Sequence, residues 1–228
     1  MQYQHNIEFD RRIPRTAKRD WMWLSWLVLV LIIAPGCAQV ANLVHVVRGN
    51  TRPAEYKGLA EKKVAIVCGS GDGIIQDESA NMLTLFVQTT LDREIKEVEF
   101  IPRDQITRWL DSQSAGTTNF VALGKGVGAE QVVCIDMKNM KMREGSTLYR
   151  GTADISVEVH DVGTGKVVYR KEIPDFAYPK VASASILDTN EAKFRGAFIS
   201  IAAQKIASLF YAADATSEYA LDATISSF

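Results

Sequence analysis

Apolar and polar positions change their period several times along this chain, and each change predicts an element. Trp21–Ile33 is a 13-residue apolar run with Arg11, Arg12, Arg15, Lys18 and Arg19 upstream and Ala34-Pro35-Gly36-Cys37 downstream. Val64–Cys68 is a short β-branched run between Lys62-Lys63 and a glycine cluster, the pattern of a fully buried strand. Leu83, Phe86, Val87, Thr90 and Leu91 then recur at helical spacing, with Asp77 and Glu78 placed to favour a helix N-terminus. Glu97–Ile101 alternates as a short strand closed by Pro102, and Asp104 is read as the cap of a helix burying Ile106, Trp109 and Leu110. Asn119–Val127 predicts another helix, interrupted by Gly124 and Gly126.

The sheet signal strengthens towards the C-terminus. Gln131–Met137 reads as a strand. Thr152–Asp161 alternates, with Ala153, Ile155, Val157 and Val159 on one face and Asp154, Ser156, Glu158 and His160 on the other. Lys166–Ile173 repeats the alternation after Asp161-Val162-Gly163-Thr164-Gly165, a hairpin turn. Phe194, Ala197, Phe198, Ile201, Ile206 and Leu209 give Asn190–Phe210 a broad helical apolar face. This order predicts an α/β (α+β) domain, a single mixed sheet with a β-hairpin in its C-terminal half, covered by helices. Its expected limits are 61–211, preceded by a tether over 37–60 and followed by a loosely ordered tail over 212–228.

The N-terminal run changes the picture most. As a helix it spans roughly 20 Å, short of a bilayer core of about 30 Å. A basic flank, a short apolar core and small residues before a cysteine form the layout of a bacterial lipoprotein signal over 1–36. Cleavage is expected between Gly36 and Cys37, with Cys37 taking the lipid. Pro35 departs from the commonest pattern before the cysteine. The alternatives are an uncleaved transmembrane anchor over Trp21–Val47 and a cleaved, soluble exported body. All three place the body outside the cytoplasm, in the periplasm or at the cell surface.

Composition adds exclusions. Without residues 1–36 the formal net charge is −3, so no concentrated basic face for nucleic acid is expected. With Cys37 lipidated, Cys68 and Cys134 remain; they are read either as buried core residues or as a disulfide permitted outside the cytoplasm. Gly69-Ser70-Gly71-Asp72-Gly73 sits where a phosphate cradle would, but it fits neither nucleotide fingerprint and reads as a crossover loop. His160 is the single histidine after the tether, so no histidine triad or histidine-rich metal site can be assembled. Asp136, Asp154 and Glu158 are expected on a solvated face, and Met137, Met140 and Met142 as gap-fillers rather than a soft-metal site. No catalytic pair, metal or cofactor is expected. Ile173–Ser185 is read as a proline-stiffened loop, with Phe176 and Tyr178 either packed on the sheet or presented to a partner.

Several short motifs together resemble a known family. They are Lys63-Val64-Ala65-Ile66-Val67, Pro102-Arg103-Asp104-Gln105-Ile106 leading to Trp109-Leu110, Gly124–Val133, and the turn Asp161–Gly165 running into Lys166-Val167-Val168-Tyr169. In this order they are similar to envelope lipoprotein domains typified by LpoB, the CsgG assembly factor and the N-terminal domain of TolB. The resemblance covers roughly residues 60–210 and implies a three-layer α/β domain that binds other envelope components. A CsgG-like pore is not expected, because Lys138–Arg150 carries no long alternating apolar stretch. The expectation is a non-enzymatic, membrane-anchored accessory or assembly factor with an envelope-protein partner. A small-ligand-binding or sensory lipoprotein and an oligomeric secretion component are the alternatives.

Overall fold

The structure, a computed structural model, describes residues 51–70, 73–75, 77–113, 119–180, 184–185 and 189–214. The export signal, Gly36, Cys37 and most of the tether lie outside them. The central strand β2 (Lys63–Ser70) runs parallel to β5 (Gln131–Glu144), with Val64 opposite Gln131 and Cys68 opposite Ile135. Helices cover β2 on both faces, and that double burial accounts for its unbroken apolar run. β5 continues antiparallel into β6 (Leu148–Asp161), and β6 into β7 (Lys166–Tyr178). A short β3 (Gly73–Ile75) pairs antiparallel with β2, and β4 (Glu99–Phe100) pairs parallel with β2. β8 (Ala184–Ser185) pairs with β6. The sheet is mixed, in the order β3-β2-β5-β6-β7, and the fold is the expected α+β.

Four helices form the layers among the described residues. α1 (Glu78–Glu94) is capped by Asp77, whose carboxylate accepts the Ala80 N–H at 2.7 Å. α2 (Arg103–Asp111) starts after Pro102, with no side-chain cap; Asp104 lies in its first turn and pairs with Arg108 instead. α3 (Phe120–Val127) is capped by Asn119 and is continuous through both glycines. A Cβ on Gly126 would stand 1.8 Å from Trp109 Nε1, so this glycine lets the indole lie directly on α3. α4 (Glu191–Ala207) is capped by Asn190.

α1 and α4 cover one face of the sheet, burying Val133, Ile135, Val157 and Val159 with Phe194, Phe198, Ile199 and Ile206. Each such side chain contributes roughly 1.5–3 kcal/mol by leaving water. α2 and α3 cover the other face above β2 and β5, where Ala65, Val67, Val132 and Cys134 meet Ile106 and Leu123. Among the described residues, no helix covers the same face of β6 and β7.

The folded body begins before residue 61. β1 (Thr51–Arg52) pairs with β9 (Ala213–Asp214), Leu59 is fully buried, and Gln131 donates to the Tyr56 hydroxyl at 3.0 Å. Residues 51–60 and 212–214 therefore belong to the body, not to the tether or tail. β5 and β6 also run further than expected. Their ends pack on α4 through the stacked Tyr149 and Phe194 rings and the Arg143–Glu191 ion pair.

Candidate functional site on the open half of the sheet

Register puts Cys134, Glu158 and Arg170 in one cross-strand row, and Asp136, Ser156 and Glu172 in the next. Directly opposed residues share a face, so these side chains line a shallow polar cavity of about 330 Å³, bordered by Phe120 and Lys138. Two of its three acids are paired with its two cations, and Glu172 is the third. Arg170 Nη2 lies 2.8 Å from Glu158 Oε1, and Lys138 Nζ lies 2.9 Å from Asp136 Oδ2. His160 Nε2 is 3.2 Å from Glu158 Oε2, yet it is buried without a hydrogen bond. Burial lowers the His160 pKa against the opposing pull of Glu158, and the ring rests against Phe120 with centroids 5.1 Å apart.

The expected sheet-face carboxylates separate. Asp136 and Glu158 share the cavity, whereas Asp154 accepts hydrogen bonds from Asn139 Nδ2 at 2.7 Å and the Asp175 N–H at 3.0 Å. These two donors hold its carboxyl below the usual range. The three methionines scatter along β5: Met142 is buried, Met137 partly buried and Met140 exposed. Among the described residues no three His, Cys, Asp or Glu side chains cluster as a metal-ligand set.

Of the two readings of the cysteine pair, the structure shows buried core residues. Cys68 and Cys134 are both free and buried. Val67, not Cys68, stands opposite Cys134, so the two thiols point to opposite faces of the sheet. Cys68 donates to Ala80 O at 3.4 Å on the α1 side, and Cys134 donates to Gly69 O at 3.2 Å. Burial pushes the Cys68 thiol up to about 11 and raises Cys134 as well, so both remain protonated thiols at neutral pH.

The glycine cluster, by contrast, is not a crossover loop. Gly69 and Ser70 end β2 and pair with β3, an antiparallel return; Gly71 and Asp72 lie outside the described residues. α1 begins only at Glu78, so the glycines do not open that helix. The proline-stiffened loop is also largely strand, since β7 continues through Tyr178. Phe176 (8% exposed) packs against Phe198 with ring centroids 5.6 Å apart, and Tyr178 is 3% exposed. Both residues belong to the core rather than to projecting anchors.

Sequence reasoning did not single out the outer edge of the sheet. Among the described residues β7 pairs with β6 alone, and at its start Val167 and Val168 are 41% and 45% exposed. Two adjacent exposed valines at the start of the strand were the available signal.

No family model and no curated protein matches the chain. Several solved structures are similar to it. The LpoB C-terminal domain from Salmonella enterica is 12% identical, with 52% of this chain and 82% of that one covered and a TM-score of 0.35. A PelC dodecamer from Paraburkholderia phytofirmans is 14% identical, covering 72% and 99%, at 0.39. Lipoprotein GNA1162 from Neisseria meningitidis is 11% identical, covering 64% and 97%, at 0.39. LpoB, named in the expected resemblance, is thus among them, together with a further bacterial lipoprotein. With TM-scores below 0.5, these likenesses assign no activity or partner to this chain. Among the described residues no helix is long and apolar enough to cross a membrane; Trp21–Cys37 lies outside them.

Proposed function

We propose that this is a non-enzymatic envelope protein, anchored through lipid on Cys37, that works as an accessory or assembly factor through protein contacts at the β7 edge. One observation carries the reading: the outermost strand leaves its outer side without a strand partner among the described residues and begins with exposed Val167 and Val168. A sheet edge offers unpaired N–H and C=O groups, and an extended segment of a partner can add to it as a further strand. Lys166–Ile173 is the usable stretch, because Pro174 lacks an N–H to donate and Asp175 is kinked at φ 49°. Two features of the open face support a binding rather than a catalytic role. The cavity acids Asp136 and Glu158 are paired with cations, and both thiols are held protonated by burial.

A photo-crosslinking residue placed at position 168 in intact cells tests this. A discrete adduct is expected from position 168 and not from the control position Leu85, exposed on α1. Replacing Val167 by Lys should abolish that adduct without altering the fold. Equal capture from both positions, or an adduct indifferent to Val167→Lys, refutes edge docking.

A further inference from the structure

The two faces of β7 set terms for any strand added outside it. Directly opposed residues share a face, so Tyr169, Lys171 and Ile173 look towards the helix layer with Val159, Val157 and Ile155 of β6. Arg170 and Glu172 look towards the polar cavity with Glu158 and Ser156. An added strand must match that division, with apolar residues on the first face and polar ones on the second. The stretch of sequence that follows the described residues has this pattern. Tyr219, Leu221, Ala223 and Ile225 are apolar at a period of two, alternating with Ala220, Asp222, Thr224 and Ser226. At helical spacing the four apolar residues would divide into two opposite pairs.

Position and length fit as well. Ala213 and Asp214 line the same concavity as Ile173, Phe176 and Tyr178, so the chain leaves β9 beside the far end of the usable edge. Residues 215–218 separate Asp214 from Tyr219 and allow about 17 Å of chain. From that end, a segment running along residues 173–166 is antiparallel to β7. We propose that residues 219–223 pair antiparallel with residues 169–173 as a further strand of the same chain, Tyr219 opposite Ile173 and Ala223 opposite Tyr169. Leu221 then lies over the aliphatic stem of Lys171. Asp222 meets Arg170, whose guanidinium holds Glu158 and has donors to spare. A shift of one residue would turn Asp222 onto the helix layer. Beyond Tyr169 the register shift of β7 ends the regular pairing. The tail and a docking partner then compete for one edge. That competition rests on the edge-docking reading above; the pairing itself does not.

Disulfide trapping in membranes from cells making the full chain tests the pairing. Glu172→Cys with Ala220→Cys should oxidise to a bond within one chain, mapped by peptide mass. Leu221→Cys in place of Ala220→Cys, one position along and on the other face, should bond about tenfold more slowly. Equal rates from the two pairs, or a bond from neither, would overturn the proposal. So would a bond joining isotopically heavy to light copies, which would give the edge to the tail of a second molecule. Ending the chain after Asp214 should raise the partner adduct from position 168 about threefold. An adduct unchanged by that truncation, with the disulfide formed, would overturn the competition. No adduct with or without the tail would refute edge docking instead, and the two cysteine pairs would still decide the tail.

Discussion

Replacing Gly151 by Ala probes a close approach between sheet and helix. Gly151 lies in β6 opposite Tyr178 of β7. An added Cβ would stand 2.1 Å from Phe198 Cδ2 and 2.6 Å from its Cε2 and Cγ, far inside van der Waals contact. Phe198 cannot readily yield, since it is fully buried and its ring packs against Phe176. Overpacking a well-filled core costs about 1–3 kcal/mol, which for a domain of this size lowers Tm by roughly 2–4 °C per kcal/mol. Phe198→Leu alone should destabilise by about 1–2 kcal/mol by leaving a partial void. In the double variant the new methyl group occupies part of that void, so the two losses should not add. A coupling above about 0.5 kcal/mol is expected, as for residues in direct contact. Urea unfolding of the four proteins, with m-values compared, measures it. Gly151→Ala within about 0.3 kcal/mol of the unaltered chain, or strict additivity, would refute the close approach.

Three further outcomes are expected. Denatured without reductant, the protein should take up an alkyl group on both Cys68 and Cys134, and in the native state both should react far more slowly; uptake that requires reductant would show them bonded. His160 binds its proton less readily folded than unfolded, because burial lowers its pKa below 6.5. Stability should therefore fall as pH drops below about 6.5, and the loss between about pH 7.5 and 5.5 should shrink in His160→Phe; an unchanged slope removes His160 as the cause. The depressed carboxylates, such as Glu55 and Asp154, start from ordinary values of 4.5 and 3.8 and so act in a more acidic window. Cys37→Ser should abolish lipid labelling and release the body from membranes; a full-length variant that stays membrane-bound would favour the transmembrane anchor.

Much of the fold was legible because its elements carry their own period. The alternation from Ala153 to Val159 needed only one covered face, and α1 and α4 carried both caps and apolar stripes. The cysteine geometry was not legible, since it depends on register. Shifting β5 by one residue against β2 would put Cys134 opposite Cys68 and on its face, and nothing local in either strand fixes that choice. Residues 51–60 looked like a tether because their anchors, Tyr56 and Leu59, are isolated side chains whose partners lie near positions 131 and 209. In α3 glycine was read as an interruption, whereas Gly126 is the contact that admits Trp109. The polar cavity was half legible. Its β6 residues followed from alternation, and Lys138 meets Asp136 two residues along β5, but Arg170 came to Glu158 only through strand pairing.

The end of β7, where the sequence pattern suggests a loop, has its cause in the pairing of the neighbouring strands. A proline within an apparent strand normally ends it, and Pro174 followed by Asp175 is a strong stop signal. β7 continues because Asp154 of β6 faces irregularities on both neighbouring strands at the same level. Asn139 on β5 and Asp175 on β7 both take positive φ, at 54° and 49°, and the pairing register shifts beside each. One carboxylate accepts a hydrogen bond from each, pinning the two bulges together. A bulge bends its strand and resets which side chains face the core. Beyond this one, Phe176 and Tyr178 turn onto the helix layer while Pro174 and Asp175 stay exposed. The burial of Phe176 and Tyr178 therefore follows from the bulge held by Asp154, a residue that by sequence pattern alone was one more acid on a solvated face.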